Sequence, residues 1–303
     1  MRRFCVACGL HGSARLIAFA PRDQGLPQSE PAEIWTFYER RGDDAAATYC
    51  GTDGRALFAI GDVHGRIDLL HEMIKAIEHD IATSDDCDRP HLVFLGDYID
   101  RGAQSREVID ALIALQSRSD LETTFLIGNH EAFCLKFIQD ARIGPMWARH
   151  GGLDTLQSYG VSLIQHGHDW TRARDAFMHH LPSAHLAFLL ALKPMAAFAD
   201  YVFVHAGVRP GVALDTQEIK DLLWIREGFL DRRVDCGKTV VHGHTPVTRP
   251  ELKDGRIGID SGAYMTGNLS AVKLTDHDVE FIIVGRRPER YAVAPAERAS
   301  LAS

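Results

Sequence analysis

Between residues 51 and 285 the chain alternates short apolar runs with longer amphipathic stretches. Residues 56–60, 92–95, 124–127, 202–204 and 239–241 are apolar, β-prone runs bounded by Gly, Asp, His or Asn. That is the pattern of buried strands in an α/β sheet. After the first run, Leu70, Met73, Ile74, Ile77 and Ile81 recur at helical spacing. After the second, Val108, Ile109, Leu112 and Leu115 do the same, with Ser105 placed to cap the helix. Residues 270–274 and 279–284 flank a polar turn at 275–278 and predict a late hairpin. Residues 144–199 predict a mostly helical insertion, and the apolar stretch 186–198 reads as a packed helix ended by Lys193 and Pro194.

The two ends differ from this middle. Residues 1–50 lack sustained periodicity and mix Gly, Pro, Arg and Ala, so they read as an extension that is weakly ordered or accessory to the core. Residues 286–303 are rich in Arg, Pro and Ala and read as a surface tail. The expectation is therefore one α/β domain at 51–285, carrying the insertion at about 144–199.

Each apolar run ends in a small polar cluster. Gly61-Asp62-Val63-His64-Gly65 follows the first and Gly96-Asp97-Tyr98-Ile99-Asp100-Arg101-Gly102 the second. Gly128-Asn129-His130-Glu131, His205-Ala206-Gly207 and His242-Gly243-His244-Thr245-Pro246 follow the other three. Ligands of open α/β sheets bind beyond the carboxyl ends of the strands, so five clusters placed there can converge. Asp, His and Asn supply oxygen and nitrogen donors suited to Mn, Fe or Zn. Any one cluster alone is more often a turn or a capping pair; five in order, each after a strand-like run, point to one metal site.

Composition adds exclusions. A formal net charge of −8 argues against a general affinity for nucleic acid or an anionic membrane. The N-terminus makes a poor signal-peptide core, and no run is long enough to span a bilayer, so a cytoplasmic location is expected. The six cysteines are scattered through a long chain, as suits reduced thiols. Cys5 and Cys8 form a C-x-x-C with only His11 nearby, and read as an incidental pair rather than a zinc or redox site.

The ordered set GDVHG, GDYIDRG, GNHE, HAG and GHTP resembles the calcineurin-like metallophosphoesterase superfamily, and within it the bacterial serine/threonine protein phosphatase branch. The resemblance spans roughly residues 60–246, and segments 222–226 and 258–263 also look familial. It implies central β-sheets packed as a sandwich and flanked by helices. It implies two divalent ions, Mn²⁺ foremost with Fe or Zn as alternatives, activating a bridging hydroxide for in-line attack on a phosphorylated protein or small phosphoester. Carried over residue by residue, it makes Asp62 and His64 ligands of the first metal, Asp97 the bridge, and Asn129, His205 and His244 ligands of the second. It makes His130 the general acid oriented by Asp100, Arg101 a phosphate-binding arginine, and Arg226 a second candidate for that role. Elementary chemistry agrees: a carboxylate can bridge two cations about 3.5–4 Å apart, Arg offers a planar donor fork to phosphate oxygens, and imidazole can protonate a leaving alkoxide. His242 is read as a support residue, Glu131 as a helix start, Trp147 and Trp170 as packing residues of the insertion, and the insertion histidines (His150, His166, His168, His179, His180 and His185) as surface or core histidines.

Pro246 stands where wider superfamily members often carry a further histidine, which favours the protein-phosphatase branch. Asp100 is the residue that symmetrical dinucleoside tetraphosphatases generally lack. The alternatives are such a tetraphosphatase, a phosphodiesterase or nuclease on the same scaffold, and an inactive phosphoprotein-binding module.

Overall fold

The computed structural model describes residues 4–7, 14–19, 33–39, 51–84, 90–165, 167–253, 255–276 and 278–285. Three strands come first, β1 (Phe4–Ala7), β2 (Ala14–Phe19) and β3 (Glu33–Glu39). Then β4 (Leu57–Ile60), α1 (Ile67–Thr83), β5 (His91–Phe94), α2 (Ser105–Gln116) and β6 (Glu122–Phe125) alternate as two parallel crossover units. Helices follow: α3 (Asn129–Gln139), α4 (Gly144–Arg149), α5 (Gly152–Ser158), α6 (Trp170–His180) and α7 (Ser183–Ala191). The remainder is β7 (Met195–Phe198), β8 (Tyr201–Val204), α8 (Ile219–Trp224), β9 (Thr239–His242), β10 (Glu251–Lys253), β11 (Arg256–Gly258), α9 (Ala263–Thr266), β12 (Asn268–Leu274) and β13 (Val279–Gly285).

The strands form two sheets, an eight-stranded one in the order β1-β2-β3-β13-β12-β4-β5-β6 and a five-stranded one in the order β10-β11-β9-β8-β7. Their facing sides close one core: Leu57, Ala59, Val93 and Leu95 meet Tyr201, Phe203, Val241 and Ile257. The alternate residues face outward into two further cores. Phe58, Ile60, Leu92 and Phe94 pack with Leu70, Met73 and Ile77 of α1 and Val108, Ile109 and Leu112 of α2. Val202, Val204 and Val240 pack with Leu222 of α8 and Phe229. Strands buried on both faces need apolar side chains at every position, which is why they read as continuous runs rather than alternations.

The differences from expectation have local causes. The third run reads as 124–127, but the ladder with β5 begins at Glu122; its last bond runs from Leu126 N–H to the Phe94 carbonyl, and Ile127 N–H then turns to the carbonyl of Lys193. The insertion is helical only to Ala191, because Pro194 ends that path and Met195–Phe198 pairs antiparallel with β8. Ser105 is the first residue of α2, not its cap; Gln104 holds the cap position, and the Ser105 hydroxyl accepts the Asp100 N–H. The first fifty residues contribute strands despite their lack of periodicity: β3 pairs with β13 from Glu33↔Gly285 to Tyr38↔Glu280. Residues 286–303, His166 and the Cys8 end of the C-x-x-C lie outside the described residues. No helix of the described residues is long and apolar enough to cross a membrane.

Candidate active site

The polar clusters after β4, β5, β6, β8 and β9 meet at one end of the sandwich. The backbone there is unusual: His64, Asp97, Asp100, Arg101 and His244 all have positive φ, between 45° and 72°. Such conformations persist only where the surroundings hold them, and here they turn short side chains toward a common point. Two glycines make the approach possible. A Cβ on Gly128 would collide with the Asp97 carboxylate, and one on Gly243 with the Asp62 carboxylate.

Asp97 lies at the centre. One group of potential ligand atoms comprises His64, Asp97 and His130 and another Asp97, His205 and His244, the atoms of each lying within 4.8 Å of one another. Asp97 Oδ2 is 3.5 Å from His64 Nε2 and 3.4 Å from His205 Nε2. The tautomers follow from the other ring nitrogens. Nδ1–H of His64 donates to the Ile99 carbonyl at 2.9 Å, and Nδ1–H of His205 to the Leu95 carbonyl at 2.9 Å. Each therefore turns a bare Nε2 lone pair toward the carboxylate, and a backbone carbonyl on the far ring nitrogen orients metal-ligating histidines in the same way. Asn129 Oδ1 is 2.8 Å and His244 Nδ1 3.2 Å from His205 Nε2.

Burial keeps these imidazoles neutral. It pushes His64 down to about 3 and His244 to about 2, and lowers His205 as well. The carboxyls are crowded. Burial, then the charges of Asp260 and Asp97, raise Asp62 well above the carboxylate range; burial pushes Asp260 up to about 6 and Glu131 to about 7. Lone pairs and carboxylates facing one another in a dry site call for cations between them, and nitrogen with oxygen donors suits divalent first-row metals. The donor set fits two ions sharing Asp97. His64, Asp97 and Asp62 could hold one, and Asp97, Asn129, His205 and His244 the other, although Asp62 now turns its carboxylate to the His244 N–H at 3.1 Å.

His130 differs from the other imidazoles. Burial alone would lower it, but the Asp97 charge and the hydrogen bond and charge of Asp100 prevail, and its pKa is raised. Its Nδ1–H donates to Asp100 Oδ2 at 2.7 Å, while Nε2, 3.8 Å from Asp97 Oδ2, has no hydrogen-bond partner. Arg101 donates to His64 Nε2 at 3.2 Å, and its guanidinium lies 4.7 Å from the exposed Tyr264 ring. Arg226 is exposed at the rim and donates to the His244 carbonyl at 3.4 Å.

Sequence reasoning passed over several residues here. Glu131, read as a helix start, also accepts the N–H groups of Gly128 (2.9 Å), Asp97 (2.9 Å), Tyr98 (2.8 Å) and Ile99 (3.3 Å), tying two motif loops together. Trp147, read as packing, donates its indole N–H to Asp100 Oδ2 at 2.8 Å, and Thr155 donates to Oδ1 at 2.6 Å. Asp260, in the segment 258–263, is buried against Asp62. His150 stacks on Phe133 with centroids 4.9 Å apart and lies 6.2 Å from His130. His242 packs edge-on against Phe229, with ring centroids 4.9 Å apart. For Trp147 and Thr155 the chain carries no local signal, because only tertiary packing brings the insertion to the β5 loop.

The sequence profile described as calcineurin-like phosphoesterase matches residues 56–285. The chain is 26% identical over 235 residues to a bis(5'-nucleosyl)-tetraphosphatase, PrpE, of the asymmetrical kind from Anoxybacillus flavithermus, covering 71% of this chain and 88% of that protein. It is 38% identical over 198 residues to a protein phosphatase 2A catalytic subunit from Dictyostelium discoideum, covering 59% of this chain and 53% of the relative. A crystal structure provisionally described as a diadenosine tetraphosphatase superposes with a TM-score of 0.53 at 19% identity, covering 78% of this chain and 97% of that one.

Proposed function

Because the chain belongs to the calcineurin-like phosphoesterase family and so to the metal-dependent phosphoester hydrolases, we propose that it is a phosphomonoesterase of the serine/threonine protein phosphatase type. Asp62, His64 and Asp97 hold one divalent ion, and Asp97, Asn129, His205 and His244 the other, with Mn²⁺ as the first choice. The ions, when bound, supply charge neutralisation and an activated water for in-line displacement. Arg101 releases His64 and turns its donor fork to the phosphate oxygens, with Arg226 at the rim as the second cation. His130 gives its Nε2 proton to the departing oxygen, and Asp100 orients the ring and stabilises the imidazolium, as the carboxylate of a catalytic triad does.

The observation that carries the monoester reading is the His130–Asp100 pair, bonded at 2.7 Å with Nε2 free. A serine alkoxide is a basic leaving group and needs such an acid. A second reading, the asymmetrical dinucleoside tetraphosphatase, is favoured by the relatives matched over most of their length and by the Tyr264 ring beside Arg101, a flat face suited to a nucleobase. Residues 51–285 form the catalytic domain on either reading. A panel of phosphoserine peptide, phosphotyrosine peptide, diadenosine tetraphosphate and an aryl bis-ester, assayed with Mn²⁺, tests this. Highest kcat/KM on phosphoserine supports the proposal, and highest kcat/KM on the tetraphosphate replaces it with the second reading.

A further inference from the structure

We propose that Trp147 and Thr155, both from the helical insertion, are positioning residues that fix the Asp100 carboxylate and through it aim His130 at the leaving group. The inference rests on the acid role given to His130 above.

The Asp100 carboxylate is fully buried and its oxygens are shared among three donors. Oδ2 accepts Nδ1–H of His130 at 2.7 Å and the indole N–H of Trp147 at 2.8 Å; Oδ1 accepts the hydroxyl of Thr155 at 2.6 Å. The Thr155 oxygen in turn accepts the Asp100 N–H at 2.9 Å and lies 3.1 Å from the Ser105 hydroxyl. Trp147 and Thr155 are buried as completely as the aspartate. The insertion grips the next residue too: Arg101 N–H donates to the carbonyl of Gly151, between α4 and α5. Asp100 and Arg101 are consecutive residues at φ of 72° and 70°, a strained pair that sends one side chain inward to His130 and the other outward to the phosphate position. The junction of α4 and α5 therefore holds both ends of this turn.

Packing alone does not account for the geometry. Trp147 has apolar neighbours in Phe137 and Phe177, yet its single donor points at the one carboxylate that His130 uses. A carboxylate held at both oxygens keeps His130 in one tautomer, with the proton on Nε2 when the ring is charged. Remove a donor and the carboxylate is free to rotate, and the acid loses its aim before the metal ligands lose theirs.

Thr155→Val removes a donor while nearly preserving shape, Trp147→Phe removes the indole N–H and leaves a small cavity, Thr155→Ser restores the hydroxyl, and His130→Asn removes the acid. Each is assayed as the full chain with Mn²⁺ on phenyl phosphate and on 4-nitrophenyl phosphate, with bound manganese measured alongside. Thr155→Val and Trp147→Phe should lose about tenfold more kcat on phenyl phosphate, the poorer leaving group, than on the nitrophenyl ester. Manganese content should stay at the wild-type level and Thr155→Ser should behave as wild type. Equal losses on both esters, with His130→Asn still discriminating between them, would overturn the positioning role and leave the acid standing. Equal losses in His130→Asn itself would remove the acid role and this inference with it. Should Trp147→Phe not fold, the Thr155→Val and Thr155→Ser pair decides the matter alone.

Discussion

The strand-end loops and the helical insertion both bond the Asp100 carboxylate, and they are written into the sequence differently. The loops carry their chemistry in five consecutive clusters, each within a few residues of the strand that places it. The insertion carries Trp147 and Thr155 in ordinary helices, 47 and 55 residues from the aspartate they bond. Residues that would touch metal or phosphate are positioned locally, by strand ends, glycines and positive-φ turns. Residues that hold those side chains still can come from anywhere the fold brings close. Substitutions in the two regions should therefore separate into loss of chemistry and loss of aim.

The largest effect should come from Asp97→Asn, because both potential ligand groups include this carboxylate. The expected loss is roughly 10³-fold or more in kcat on any phosphoester, with both metals weakened. Near-normal turnover and metal content would remove the shared-ligand picture. Next comes His130→Asn, which should cost about 10²–10⁴-fold on a phosphoserine peptide and visibly less on 4-nitrophenyl phosphate, with metal retained. A uniform loss accompanied by depleted metal would make His130 a support for the metal site, and the two regions would then not differ in kind.

Glu131→Gln sharpens the comparison from within the loops. The buried carboxylate accepts four backbone N–H groups, and an amide would set its own N–H₂ against them. A destabilisation of about 1.5–3 kcal/mol is expected from the shift of the urea midpoint. An unchanged midpoint would mean that the loops do not depend on this tie.

These particulars also show what was legible in the chain. The strands buried on both faces announced themselves as apolar runs, and the hairpin of β12 and β13 by its polar turn. The converging Asp, His and Asn residues were legible as punctuation of those runs. The third strand begins two residues before its apolar run, at Glu122, and Ile127, apolar though it is, leaves the ladder to bond Lys193. Glu131 reads as a helix start because its four bonding partners are backbone groups, which no sequence pattern advertises. The strands among the first fifty residues leave no trace in the pattern because short segments separated by Gly and Pro show no sustained period; β3 takes its place through pairing with β13.

The smallest effect on turnover should come from deleting residues 1–47. The motif loops sit beyond β4, β5, β6, β8 and β9, none of which is paired with β3. Activity per folded molecule should stay near that of the full chain, while the bared edge of β13 lowers thermal stability and solubility. Lost turnover in a soluble, folded truncation would place the first fifty residues within the catalytic unit.

The central claim, a phosphoesterase built on two ions that share Asp97, is tested most directly by titrating chelator-stripped protein with Mn²⁺ while following bound metal and hydrolysis of 4-nitrophenyl phosphate together. The account predicts no turnover in the stripped protein, two manganese ions bound per chain at saturation, and activity that rises with their binding. Full activity without metal, or saturation at a single ion with full activity, would contradict it.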